Sequence, residues 1–487
     1  MPKNQTVIGY LPDERPSIWK LLFYALQQVI VMFPATVAVA LITGFQVSTT
    51  IFASGLATIC FILITGKKIP LYYGSSFSYL TAISGLMAGD AIRSMVSPET
   101  LTQLDAWKAG TTSILPAEAI SYAQFGIIMS GLISIAAGLL IKVSGTKAVE
   151  KILPPSITGP IAMIIGLTLA GTALSDAAPR AVAEGAAATV MNSSWVWVVS
   201  LATLLSTILF SRYLTGFLGQ LPLLLGAAVG CATAALLYFI GGPEMNLFRA
   251  IPKEALEASL WQAGPIAVPA FSFPKPSLAA VIAIMPIAIA TIPESTAHMY
   301  QLDIYINDLA KKKNSSKKYN LIEKLDKNLI GDGIGDMISG LIGGPAGTNY
   351  GENISTMAIT KVFSVPVLIV AAVIAMIMSF FTPLVQGIYS IPQAVIGGLE
   401  VYLFGAIAAQ GAAIMIEKKV DMFSSKNIAV IATIMVIGLG GNYAFGGNIP
   451  FFGIEVPCIA GAAIFGIILN MILSIGEKKN AEQETAE

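Results

Sequence analysis

Apolar residues run along this chain in blocks of about twenty, separated by short polar stretches. As a helix, a block of that length crosses the ~30 Å hydrocarbon core of a bilayer. Blocks begin near residues 19, 48, 120, 155, 193, 221, 277, 365, 393, 426 and 454. Three shorter apolar pieces, 76–89, 329–342 and 352–363, lie between them and bring the count to fourteen. The pattern predicts an all-α polytopic membrane protein. Gly and Pro interrupt many blocks, which membrane helices tolerate when neighbours satisfy the freed backbone groups.

Composition agrees. Of 487 residues, 55% are hydrophobic and 11% charged, against about 25% charged in a soluble domain. Net charge is zero, so nothing points to nucleic acid. Cys60, Cys231 and Cys458 are far apart in apolar surroundings and form no metal pattern. The polar start, "MPKNQTVIGYLPDERPSIWK", has no h-region and does not read as a cleaved signal peptide. Lysines orient the segments. Lys67 and Lys68, then Lys142, Lys147 and Lys151, then the seven lysines of residues 311–327, then Lys418, Lys419 and Lys426, and finally the "GEKKN" tail occupy alternate loops. With fourteen spans all of these fall on one side. The positive-inside rule makes that side cytoplasmic, with both termini.

The chain also echoes itself. "YGSSFSYLTAI" from Tyr73 aligns with "YGENISTMAIT" from Tyr350, matching Tyr, Gly and the later Ser78 with Ser355. The two copies fall in the third and tenth segments, seven apart, and so run in opposite directions. That predicts a seven-plus-seven inverted repeat, with a binding site where the repeats meet. The stretch 353–363 makes only about 16 Å of helix, half a bilayer core. The preceding "GGPAGTNYG" and, before the third segment, "IPLYYGSSF" must cross the other half extended. Such backbone is tolerated at depth only inside protein or along a watery cavity. The two extended pieces can pair, and both half-helices then aim their free N–H groups and positive dipole ends at one central site.

Ionisable residues interrupt the apolar pattern there. The eighth segment reads "PSLAAVIAIMPIAIATIPESTAHMYQLD" and places Glu294 and His298, the only histidine, on one helical face. Glu352 lies at the start of the tenth. Each has a bland alternative, a mutually satisfied helix end for the first two and an acidic helix start for the third. By default an ionisable residue inside a membrane marks a functional site. Together they make an acid/base cluster that can take up a proton. Carboxylates accept from ring N–H groups and helix-start N–H groups donate to carbonyl oxygens. A planar ring with alternating N–H and C=O edges, such as uracil or xanthine, meets both, with Tyr350 and Phe77 against its faces. No nucleophile–base pair and no metal ligand set is present, so an enzyme is not expected.

At these residues the sequence resembles the nucleobase–ascorbate transporter family, also called the nucleobase–cation symporter 2 family, and most of all its bacterial uracil permeases. The family signature, Gln/Glu/Pro-Asn-x-Gly-x4-Thr-Arg, reads Glu352, Asn353, Ile354, Ser355, "TMAI", Thr360, Lys361. Ser355 replaces the usual Gly and Lys361 the usual Arg. "LQQVIVMFPAT", "GKKIPLYYGSSFSYL" and "PESTAH" also match, with Gln27-Gln28 where the family has Gln-His. The resemblance implies that Glu294 and Glu352 hold the base and that His298 belongs to proton coupling. It implies that Phe77 and Gly351 offer backbone N–H groups to base carbonyls. Ala35, Tyr350 and Phe404 would line the pocket, Phe404 standing where uracil permeases have Tyr. It further implies fourteen spans in two inverted repeats, alternating access, no cofactor, a homodimer and a place in the cytoplasmic (inner) membrane.

The expected division is a cytoplasmic N-terminus (1–18), a core of spans 1–4 (19–152), a gate of spans 5–7 (153–241) and an outer connection (242–276). Core spans 8–11 (277–382), gate spans 12–14 (383–476) and a cytoplasmic tail (477–487) follow. The expected activity is proton-coupled nucleobase uptake, uracil first, with xanthine or urate as the alternative and an anion exchanger of the same fold as the second. Residues 90–119 and 311–328 read as solvated insertions.

Overall fold

The computed structural model describes residues 9–109, 112–145, 152–182, 189–250, 265–452 and 454–475. The first eight residues, Lys147, Lys151, residues 251–264 of the outer connection and the C-terminal tail lie outside the described residues.

Each of the fourteen expected positions carries helix, numbered here as segments 1–14. They are Ile18–Thr43, Val47–Ile64, Phe77–Ala88, Ala117–Ser144, Pro155–Ala177, Trp195–Tyr213 and Pro222–Gly241, then Leu278–Lys312, Leu325–Ile342, Gly351–Thr360, Val365–Met378, Gln393–Glu417, Ser425–Phe445 and Cys458–Leu473. Nine of these, among the described residues, are long and apolar enough to cross a membrane. The chain is a multi-pass membrane protein by this measure, and its outer faces carry the exposed Leu236, Phe239, Val436 and Ile472 that suit lipid.

Two short segments are half-helices, as their length demands. Segment 3 opens with a 3-10 turn, Phe77–Tyr79, and continues as Leu80–Ala88. Segment 10 spans ten residues, about 15 Å. It begins and ends earlier than the expected 353–363. Lys361 adopts a left-handed conformation at φ +59° and stops the helix there. Ahead of each half-helix lies a strand, β1 (Tyr73–Ser75) and β2 (Gly347–Asn349). They pair antiparallel, Tyr73 opposite Asn349 and Ser75 opposite Gly347. The half-helices therefore leave this two-stranded ribbon in opposite directions. Thr58 serves the ribbon edge, its hydroxyl bridging the Tyr73 N–H and C=O at 3.0 Å each. That supplies what the bilayer core cannot.

Helix packing carries the same echo. Segment 9 packs along 4 and segment 2 along 11. Segment 6 pairs with 7 and 13 with 14, while 6 meets 12 and 13 meets 5. Each pairing has its counterpart seven segments on. Segment 9 approaches segment 4 through Gly333 and Gly131, where a methyl on either would fall 2.3 Å from the other's carbonyl oxygen.

Three features differ from the sequence expectation. Residues 90–109 and 112–119 keep an exposed face but are anchored through a buried one. Helices Asp90–Arg93 and Pro98–Lys108 bury Ile92 and Leu104 against the outer end of segment 3. Glu118 ties them down, accepting from the Ser97 N–H (3.0 Å) and Thr100 (2.8 Å) and pairing with Lys275. The lysine loop is tethered too. Lys313 bonds Gly9 O and Glu14, while Lys317 and Tyr319 both bond Asp13. Those contacts hold an N-terminal arm, which also pairs Tyr10 with Lys361 and Phe363. The last difference is a hairpin, β3 (Asn448–Phe451) with β4 (Ile454–Pro457), which occupies the expected start of segment 14. Its Gly- and Pro-rich sequence is a poor helix former.

Candidate functional site

The β1–β2 ribbon and the two half-helices converge on the middle of segment 8. That segment is broken once, by a 3-10 turn at Met285–Ile287 around Pro286, and then runs unbroken from Ala288 to Lys312. Glu294, Ser295 and His298 sit in its second turn and just beyond, level with the start of segment 10.

Glu294, His298, Gly351 and Glu352 meet there. Glu352 is the near carboxyl neighbour of both Glu294 and His298. Gly351 is pressed against the His298 ring, so that a methyl group on it would come 2.8 Å from Nε2. Neither Glu294 nor Glu352 makes a side-chain hydrogen bond among the described residues, and the N–H groups of Phe77 and Gly351 are likewise uncommitted. Two carboxyl groups and two helix-start donors close to the ribbon thus have no hydrogen-bond partners among the described residues.

The aromatic and apolar candidates form the wall. Phe77 is half-buried and packs on two clusters, one containing Ala35 and Tyr350, the other containing Phe404 with Val39 and Leu80. Tyr350 lies flat against Gly74, whose missing side chain makes room for the ring. Its hydroxyl is engaged, donating to Ser75 O (2.9 Å) and lying 3.0 Å from the Thr36 hydroxyl. Tyr350 therefore contributes ring edge and shape rather than a free hydroxyl. The Asn353 amide N–H group is likewise committed, while its Oδ1 is buried without a partner among the described residues. Its amide donates to Gln28 O (3.0 Å) and Oε1 (2.8 Å), fastening the half-helix to segment 1.

A second polar layer lies behind the site. His298 Nδ1 is 2.7 Å from Asn349 Oδ1. The Asn349 amide group donates to Ser295 (2.8 Å), which leaves its oxygen for the histidine and makes Nδ1 the protonated ring nitrogen. Nε2 then faces Gly351 and can give or take a proton. Ser295 also accepts from Asn328 (2.6 Å) and donates to Asp332, so its hydroxyl is fully used. One turn along segment 9, Asp336 accepts from the Tyr73 hydroxyl and from the Gly347 N–H (2.8 Å). Tyr79 lies 3.5 Å from its other oxygen and bonds Ser130 at 2.6 Å. Asp332 and Asp336 thereby hold the ribbon and the half-helix starts in place.

Reading the sequence singled out none of Ser295, Asn328, Asp332 and Asp336. A signal was present, since "GDGIGDMISG" puts two aspartates one turn apart within an apolar piece. Their partners, however, come from segments far away in the chain.

Comparison with known proteins places this arrangement. The model of the permease family named for xanthine and uracil permeases matches residues 19–447. The chain is 32% identical to the uracil permease of Bacillus subtilis, over 99% of this chain and 98% of that protein. It is 32% identical to the uracil permease of Bacillus caldolyticus, over 95% and 94%. Among solved structures it resembles murine Slc26a9, an anion transporter in the inward-facing state, with a TM-score of 0.62 at 12% identity, covering 97% of this chain and 73% of that one. It also resembles the transmembrane domain of the cyanobacterial bicarbonate transporter BicA, with a TM-score of 0.51 at 14% identity, covering 93% and 96%. These two share the fold. The chain is a transporter and not an enzyme: it belongs to the permease family.

Proposed function

We propose that this permease takes up a nucleobase, uracil first, together with a proton. The observation that carries the reading is the open quartet of Glu294, Glu352 and the Phe77 and Gly351 N–H groups. Uracil offers ring N–H donors to the two carboxylates and carbonyl acceptors to the two N–H groups. Phe77 and Phe404 flank it, with Ala35 and Tyr350 shaping the wall.

Charge bookkeeping favours a proton as co-substrate. Each half-helix start carries about +0.5 charge. Two ionised carboxylates outweigh the pair by about one unit, and one proton closes the gap for a neutral base. An anion would restore the deficit, which argues against the anion-exchanger alternative despite the shared fold. His298 lies against Gly351 with Nε2 free and is the natural carrier between the carboxylates.

All fourteen segments span the bilayer in this reading, as two inverted repeats. Segments 1–4 and 8–11 form a core carrying the ligand, and segments 5–7 and 12–14 form a gate against which it moves. The seven-segment shift in helix pairing supports that division. The uracil permease relatives support the substrate class. We further place the protein in the cytoplasmic (inner) membrane as a homodimer, with both termini cytoplasmic.

The test is a binding panel on the purified permease with uracil, thymine, xanthine, urate and guanine at two pH values. Tightest binding of uracil, outcompeting xanthine, is expected. A xanthine or urate preference would move the protein to the purine alternative, and binding of none would end the nucleobase reading.

A further inference from the structure

Another acidic pair, Asp176 and Glu400, lies on segments 5 and 12, outside the set of Glu294, His298 and Glu352. Glu400, in segment 12, is 2% exposed and neither carboxylate oxygen has a hydrogen-bond donor among the described residues. Asp176, at the end of segment 5, is the neighbouring carboxyl, with Gln393 beside it. The backbones enforce the meeting. A methyl on Gly397, one turn before Glu400, would fall 2.4 Å from the Asp176 carbonyl carbon.

Among the described residues none donates a hydrogen bond to Glu400. Arg249 spends Nε on Ile391 O (2.7 Å) and Nη1 on Gln393 (2.9 Å), and its Nη2 has no partner. The other charged or titratable groups facing the cluster are Arg180, beside Asp176, and Tyr389, beside Arg249. Segments 1 and 7 contribute only apolar groups. A cavity of about 80 Å³ separates Phe33, Val37 and Leu41 of segment 1 and Leu223 of segment 7 from Leu399 and Leu403, and Glu400 is the one polar residue lining it.

A buried carboxyl without a donor, held beside a second carboxyl by the close backbones at Gly397, lacks a hydrogen. A buried oxygen needs a hydrogen-bond partner, and two carboxylates are acceptors only. We propose that Asp176 and Glu400 bind one shared proton, a protonation site on the segment 5–segment 12 face that is separate from Glu294, His298 and Glu352. Phe404 follows Glu400 by one turn on the same face, so the shared proton lies next to the wall of the candidate site. It also faces segment 1 across the cavity.

Infrared difference spectroscopy of the full-length permease in detergent, without nucleobase, reads this directly. The wild type minus Glu400→Gln spectrum should show loss of one protonated-carboxyl C=O band at neutral pH. Asp176→Asn should lose the same band, because the remaining carboxylate then takes its donor from the new amide. Half-exposed Asp176 makes its variant the safer one to fold, and a thermal melt checks both. The band should survive in Glu294→Gln. Retention of the band in both Asp176→Asn and Glu400→Gln overturns the proposal. Loss in one of them alone places an unshared proton on that residue and overturns it equally.

Discussion

Two acidic pairs flank segment 8 in this permease, and their bonding is opposite. Asp332 and Asp336 are buried and tied to Ser295, Asn349, Tyr73 and the Gly347 N–H. Glu294 and Glu352 lie a few residues from those same partners and accept from none of them. The groups are all carboxyls, but the aspartates are buried while Glu294 is half-buried and Glu352 exposed. A carboxylate inside a membrane protein needs donors. The aspartates have theirs from the protein and hold the ribbon. The glutamates have no donor among the described residues, which on the proposed reading leaves them for donors that arrive with a ligand.

Substitutions separate the two roles. The largest effect expected is on binding: Glu352→Gln should weaken uracil binding by about 10- to 100-fold, the worth of about 1.5–3 kcal/mol for hydrogen bonds to a charged acceptor. Its melting temperature should stay near wild type. Asp336→Ala should do the reverse, lowering thermal stability through the loss of about 1–3 kcal/mol as the Tyr73 hydroxyl and Gly347 N–H lose their acceptor, while the folded fraction binds uracil normally. Titration calorimetry and a melt on the same two proteins check the contrast, and parallel losses in both readouts for both variants would break it. Ser295→Ala is the intermediate case. Removing a hydroxyl that links Asn328, Asn349 and Asp332 should cost about 1 kcal/mol of stability with a small change in affinity.

The smallest effect belongs to the exposed acid of the arm. Lys317 first and Tyr319 second hold the Asp13 carboxyl below its usual range. A folded pKa lowered in this way contributes stability that is full above the unfolded value near 4. The contribution fades as pH falls below that value through the folded one. After solvent screening it is at most about 0.5 kcal/mol. Asp13→Asn should therefore shift the melt slightly at pH 7 and progressively less as the pH falls below about 4, and salt should shrink the difference.

How much of this was legible in the sequence follows the same contrast. Glu294, His298 and Glu352 stand out because charge interrupts apolar blocks, and the Tyr73/Tyr350 echo marks the ribbon before any pairing is seen. The supporting layer was hidden because its meaning lies in long-range contacts. Asp336 is explained by Tyr73, and Asn353 by Gln28, pairs that no local pattern links. The anchored insertion at 90–119 was misread for a related reason. Its polar surface dominates the composition, while Ile92 and Leu104 bury themselves against a distant segment. The hairpin at Asn448–Pro457 followed from Gly and Pro, but the apolar run around it read as helix.

The central claim is that the open pair carries base and proton together. In proteoliposomes, uracil added outside should drive protons inward with it, seen as external alkalinisation by a pH dye, and acidifying the outside should speed uptake. Glu294→Gln should abolish both the pH signal and concentrative uptake. Full, pH-dependent accumulation of labelled uracil by Glu294→Gln would contradict the account.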